Sequence, residues 1–167
     1  MSLLQLILIM CAYLFVLMVV IYFTKPTLSR IGGALAGGAA GSCLALIVFV
    51  LGDVCGFWRG SLPSRTGLLM LFYVTAISFA PIYLCTWRFA RRFGRHGLIM
   101  FVGGVALIGP PRDYLFAAKY PEWLVFAPGV APILTDAAAY VGIVVLGHAV
   151  MRLVAGPQRE DRLAKRS

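Results

Sequence analysis

Five apolar runs follow one another along this chain, separated by short clusters of charge and proline. The first, Leu3 to Phe23, is uninterrupted. It is longer than the roughly 7–15 apolar residues of a signal-peptide core. It also lacks a basic segment before it and a clear cleavage site after it, so it predicts a retained first helix. The second run, from about Ile31 to Trp58, starts glycine-rich in IGGALAGGAAGS and ends in GDVCGFW. The third extends from Gly67 to Trp87 and contains Pro81, tolerable in a membrane helix as a kink whose freed carbonyl finds another partner. The fourth, from about Phe93 to Ile108, reaches only about 24 Å as a helix, short of a hydrocarbon core of about 30 Å. It is expected to tilt little, to thin the bilayer or to be re-entrant. The fifth, Ala131 to Ala155, is long and stops at Gly156–Pro157, a helix terminator of the expected kind.

Composition turns these runs into membrane spans. Of the 167 residues, 61% are hydrophobic and 13% charged, against about a quarter charged in a soluble domain. The mean hydropathy is +0.91. Each crossing takes roughly 20 residues, so the chain has room for four to six and no separate soluble module. The reading is an all-α integral membrane protein. Residues 1–156 form one transmembrane bundle of about five helices, and residues 157–167 form a charged cytoplasmic tail suited to anionic headgroups.

Charge fixes the expected orientation. With five crossings, Lys25 and Arg30, then Arg88, Arg91, Arg92 and Arg95, then Arg152, Arg159, Arg162, Lys165 and Arg166 share a side. Arg59, Arg65, Arg112 and Lys119 face the other. Without the fourth crossing this imbalance disappears, so the bias of basic residues towards the cytoplasm favours five helices, the amino terminus outside and the carboxyl terminus in the cytoplasm. The net charge of +9 is thus read as a topology signal rather than a nucleic-acid surface, because the basic residues lie between apolar runs. Arginine far exceeds lysine, asparagine is absent, and alanine, glycine and valine are abundant beside leucine. That composition fits a GC-rich bacterial genome and hence a bacterial inner membrane.

The segment GPPRDYLFAAKYPEW, residues 109–123, is the long break in the apolar middle of the chain. It is expected to form a proline- and aromatic-rich loop on the outer side between helices four and five, with Tyr120 and Trp123 at the interface. The following LVFAPGVAPIL is too short and proline-rich to span, and is expected to dip back into the membrane or cover the bundle as a lid. Asp53, near the outer end of the second helix, and Asp136, one turn into the fifth, fall at the depth of this loop. Arg112, Asp113 and Glu122 join them in one expected outer-side layer, with Tyr140 on the same side as Asp136.

Two readings of that layer follow. In one, Arg112 pairs with Asp53 or Asp136 and fastens the loop to the bundle. In the other, the layer is a lidded polar pocket opening to lipid, with Asp53, Asp136 and Glu122 as catalytic proton carriers. Arg112, Asp113, Tyr120, Trp123 and Tyr140 would then bind substrate. Burial favours a neutral carboxyl and a neighbouring guanidinium an ionised one, so such a site can separate the roles of its acids. His148 lies about 18 Å below Asp136 on the same helix, too far to form a pair with it. It is expected to bond to a carbonyl on a neighbouring helix, with Arg152 reaching to the cytoplasmic surface.

Gly33, Gly37 and Gly41 recur every four residues on the second helix, the small-xxx-small pattern that lets helices approach closely. The pattern serves equally for packing within the bundle and against a partner. Cys11, Cys43, Cys55 and Cys85 are scattered without metal-ligand spacing, and no phosphate-binding, hydrolase or dinucleotide motif occurs. No metal and no cofactor are expected. The favoured function is a non-enzymatic accessory or scaffolding subunit of a membrane complex, in contact with lipids and other transmembrane helices, as a homo- or hetero-oligomer. The alternative is a membrane enzyme performing acid–base chemistry on a bound lipid or isoprenoid, and a small transporter comes third.

Overall fold

The computed structural model describes residues 3–60 and 65–156, so the expected charged tail lies outside the described residues. Six elements follow in order: α1 (Leu3–Thr24), α2 (Leu28–Val54), β1 (Trp58–Gly60), α3 (Arg65–Lys119), β2 (Leu124–Phe126) and α4 (Val130–Ala155). All four helices are long and apolar enough to cross a membrane. The chain is a multi-pass membrane protein built as an all-helical bundle with one small two-stranded ribbon.

The turn between α1 and α2 is three residues long and locally encoded. The Thr24 hydroxyl donates back to the Val20 carbonyl at 2.6 Å, and Lys25 takes a positive φ of 47°. Thr27 then caps α2, its side chain accepting from the Arg30 amide at 3.3 Å. Such a cap satisfies an amide that the first turn leaves without a helical partner, and it starts α2 three residues before the apolar run begins.

The core is a seam of small residues. Gly33, Ala34, Gly37, Gly38, Gly41 and Ser42 form the buried stripe of α2, recurring at the spacing of one helix face. A β-carbon at Gly37 would sit 2.5 Å from the Gly147 carbonyl oxygen of α4. One at Gly38 would strike the Ala76 carbonyl of α3, and one at Gly41 the Tyr83 hydroxyl. Gly33 lies against Met151 and Ala155. The seam is therefore filled from within the chain: α4 and the early part of α3 occupy it. Tyr83, fully buried, fits against Gly147 and donates to the Ile143 carbonyl at 3.0 Å. Between apolar helices in lipid, close van der Waals packing of this kind replaces the hydrophobic effect as the force of association.

The helix α3 turns back on itself. Gly94 is non-helical, with φ 63° and ψ −140°, a combination open to glycine and strained for other residues. Phe89 and Phe101 stack with centroids 5.3 Å apart, where a straight helix would separate them by about 18 Å. Likewise Tyr83 and Gly109 both lie against α4, at Gly147 and Tyr140 respectively. A straight rod would hold them about 39 Å apart. Two arms, residues 65–93 and 95–119, thus run back along each other.

The expected outer-side loop is where the structure departs most from the sequence reading. The helix continues through Gly109, Pro110 and Pro111 to Lys119, so residues 109–119 are the end of the second arm. Backbone groups in lipid must be satisfied internally, and prolines within membrane helices are tolerated where surroundings compensate. Continuing the helix lengthens this arm to about 37 Å, which removes the shortfall that ending it at Ile108 creates. Residues 120–129 alone join α3 to α4, a shorter connection than the expected loop. Leu124–Phe126 instead pairs antiparallel with β1, Trp58 opposite Phe126 and Gly60 opposite Leu124. Trp58 anchors this ribbon: its indole nitrogen donates to the Phe49 carbonyl at 2.9 Å and its ring lies on Gly52. Accordingly α2 ends at Val54 rather than at Trp58.

Candidate functional site

A polar cluster forms where the second arm of α3 crosses α4. Gly109 makes the crossing possible, since a β-carbon there would enter the Tyr140 ring. Beyond it, Arg112 donates from Nε and Nη2 to Asp113 Oδ1 at 2.9 and 2.7 Å. Nη2 also donates to the Tyr140 hydroxyl at 2.7 Å. That hydroxyl in turn donates to Asp113 Oδ2 at 2.7 Å. The three side chains close a ring of charge-assisted hydrogen bonds, individually stronger than neutral ones. The guanidinium also lies 5.7 Å from the centre of the Tyr140 ring, within cation–π range.

Asp136 stands one turn before Tyr140 on α4, on the same buried stripe as Pro132, Ile143 and Gly147. It is only 9% exposed, its Oδ2 has no hydrogen-bond partner among the described residues, and it lies within electrostatic reach of Asp113 and Arg112. Tyr114, next to Asp113, stacks on Phe126 of the ribbon at 4.0 Å, and its hydroxyl is buried with no partner among the described residues. Tyr13 of α1 comes within electrostatic reach of Arg112, so three helices contribute to this region.

The expected layer assembles only in part. Arg112, Asp113, Asp136 and Tyr140 come together. Asp53 does not join them: it is exposed, and its Oδ1 accepts the Gly60 amide at 3.1 Å, tying β1 to the end of α2. Glu122 is exposed in the turn before β2. Tyr120 packs on Phe116 at 5.0 Å and on the Lys119 ammonium at 5.5 Å, while Trp123 is half-buried beside the ribbon. The expected partner of Arg112, Asp53 or Asp136, is replaced by its own neighbour Asp113. A helix end holds adjacent side chains together without the long reach that a loop would have required. Tyr114 and Tyr13 escaped the sequence reading, because nothing in a tyrosine's position along an apolar run shows which helix it will meet.

The opposite end of the bundle holds a second polar layer that sequence reasoning treated only as a topology signal. Arg30 is 1% exposed, not a loop residue. It donates from Nη1 to the Gly156 carbonyl at 2.8 Å, closing the end of α4, and lies 5.6 Å from the Trp87 ring centre. Arg91 lies 5.7 Å from the same ring. His148 is buried near Arg30 and Arg152, at the far end of α4 from Asp136. Cys11, Cys43 and Cys55 are exposed and Cys85 half-buried, all as free thiols. Among the described residues no three His, Cys, Asp or Glu side chains group closely enough to hold a metal. No family model, characterised protein or solved structure matches the chain.

Proposed function

We propose that this protein is a non-enzymatic accessory or scaffolding subunit of a membrane complex in a bacterial inner membrane. The observation that carries this reading is the closure of the Arg112–Asp113–Tyr140 ring, in which both carboxylate oxygens of Asp113 and the Tyr140 hydroxyl are engaged within the ring. A clasp of that kind fastens two helices. Of the carboxyls expected to carry protons, Asp53 and Glu122 stand apart from Asp136.

The glycine seam supports a modified form of the scaffold reading. Because Gly33, Gly37 and Gly41 pack against α3 and α4 of the same chain, any partner meets other faces of the bundle. The reversal at Gly94 supports counting the arms of α3 as two crossings, five in all. The arginine-rich end, with Arg30, Arg88, Arg91, Arg92 and Arg95, is then cytoplasmic, and the ribbon end is outside. Reporter fusions at Arg95 and Lys119 test the count: they report opposite sides if the arms cross separately. Native mass spectrometry of the protein extracted gently from its own membrane tests the function. A stoichiometric protein partner supports the subunit reading, and a lone chain removes it.

A second reading, an enzyme acting on a lipid or isoprenoid, rests on Asp136 Oδ2 and the Tyr114 hydroxyl, both buried without partners among the described residues. It requires that Asp136→Asn fold normally and abolish turnover of a co-purifying lipid. An equally active variant takes Asp136 out of any mechanism.

A further inference from the structure

The clasp leaves one edge of the Arg112 guanidinium unused. Nε and Nη2 serve Asp113 and Tyr140, while Nη1 carries two N–H donors with no partner among the described residues. The Arg112 side chain is 59% exposed against 24% for Asp113, so this edge lies at the surface of the bundle.

That surface is apolar and points to lipid. Ile108, one turn before Arg112, and Leu115 and Phe116, one turn after it, share its face of the helix and are exposed. Lys119 completes the row. Seven residues on, it stands about 20° round the helix from Arg112 and about 10 Å further along it. Among the described residues Lys119 makes no ion pair and only contacts the Tyr120 ring. Asp113 offsets Arg112, so Lys119 leaves this face with a net positive charge.

In hydrocarbon no water is present to accept from Nη1, and a charged donor left unserved there is costly. Arg112 lies about 10 Å in from the end of its helix, where headgroup phosphates are within reach of a long side chain that extends towards them. The planar guanidinium of arginine suits the paired anionic oxygens of a phosphodiester, and lysine adds a second point charge nearer the surface. We infer that Arg112 and Lys119 form a binding site for the phosphodiester of an anionic phospholipid, whose acyl chains lie along Leu107 and Ile108. An acidic side chain of a partner helix is the competing acceptor. The lipid is favoured because exposed Leu107 and Ile108 continue from Arg112 away from the helix end, as acyl chains continue from a headgroup.

The test compares lipid retention by native mass spectrometry. The intact protein is released from micelles doped with phosphatidylglycerol or with phosphate-free monogalactosyldiacylglycerol. The wild type is expected to hold one phosphatidylglycerol through collisional activation that strips the galactolipid. Arg112→Gln is expected to weaken that retention about tenfold, the size of one lost charge-assisted contact, and Lys119→Ala to weaken it less. Tyr140→Phe, which opens the clasp but keeps the guanidinium, is expected to retain the lipid, with circular dichroism confirming that every variant is folded. Equal retention by wild type and Arg112→Gln overturns the site. So does equal loss in Arg112→Gln and Tyr140→Phe, which would trace the effect to bundle packing. Displacement of the lipid by added inorganic phosphate identifies a free-anion site instead, and an Arg112-dependent protein adduct in place of lipid identifies a partner's carboxylate; either result overturns the lipid assignment.

Discussion

Two of the contacts that α4 makes with the rest of the bundle are built on opposite principles. Around Gly37, Gly147 and Tyr83, backbones approach because side chains are missing. Around Arg112, Asp113 and Tyr140, helices are joined because side chains are present and bonded to one another. The first contact tolerates almost no added volume, since its neighbours are carbonyl groups of the main chain that cannot rotate away. The second tolerates changes of volume but not of hydrogen-bonding capacity. One helix therefore carries a chemical lock near its middle, at Tyr140, and a geometric one nearer its end, at Gly147.

Substitutions that exchange these principles separate them, and the largest effect is expected at the seam. Gly37→Leu places a side chain where even a β-carbon meets the Gly147 carbonyl, and overpacking alone costs about 1–3 kcal/mol or more. The fraction recovered as a monodisperse peak in detergent size-exclusion chromatography should fall to near zero. A well-folded variant would show that the seam is looser than this packing implies. Gly94→Ala comes next, because the backbone there lies in a region reserved for glycine at about 1–3 kcal/mol for another residue. Denaturant titration should register that loss.

The clasp should respond more mildly. Asp113→Asn removes the charge that Arg112 faces; because that guanidinium is largely exposed, the expected loss is about 1 kcal/mol in the same titration. Tyr140→Phe deletes two hydrogen bonds but keeps the ring that fits Gly109, for about 1 kcal/mol. If Tyr140→Phe proved as damaging as Gly37→Leu, the contrast between the two contacts would fail. The smallest effect is expected at Gly32, beside the seam but facing open space. Gly32→Ala should be neutral or stabilising by about 0.5–1 kcal/mol, the usual gain for alanine over glycine within a helix.

The limits of the sequence reading fall at particular residues. The glycine spacing on α2 showed that a close helix contact exists, because spacing along one helix is a local property. It left open whether α4 or another protein fills the groove. Asp136 was legible as a buried carboxylate from its place within an apolar run. Asp53, equally conspicuous, is spent on the Gly60 amide, a contact created by a ribbon whose two strands lie more than sixty residues apart. Pro110 and Pro111 misled because a paired proline ends helices in water, where the freed carbonyls and the chain beyond are readily solvated, whereas a helix in lipid gains by continuing.

What the sequence by itself determined is the class of molecule: several long apolar helices, short connections and a charge bias between the two ends. These follow from local hydropathy, whose cost in a bilayer is paid residue by residue. The tertiary structure alone decided that α3 doubles back at Gly94, that the seam is occupied by its own chain, and that Arg112 closes on Asp113 and Tyr140. Each of these depends on which surfaces meet across the bundle. In lipid, where apolar faces gain little by avoiding solvent, that choice is settled by shape and by hydrogen bonds between residues distant in the chain.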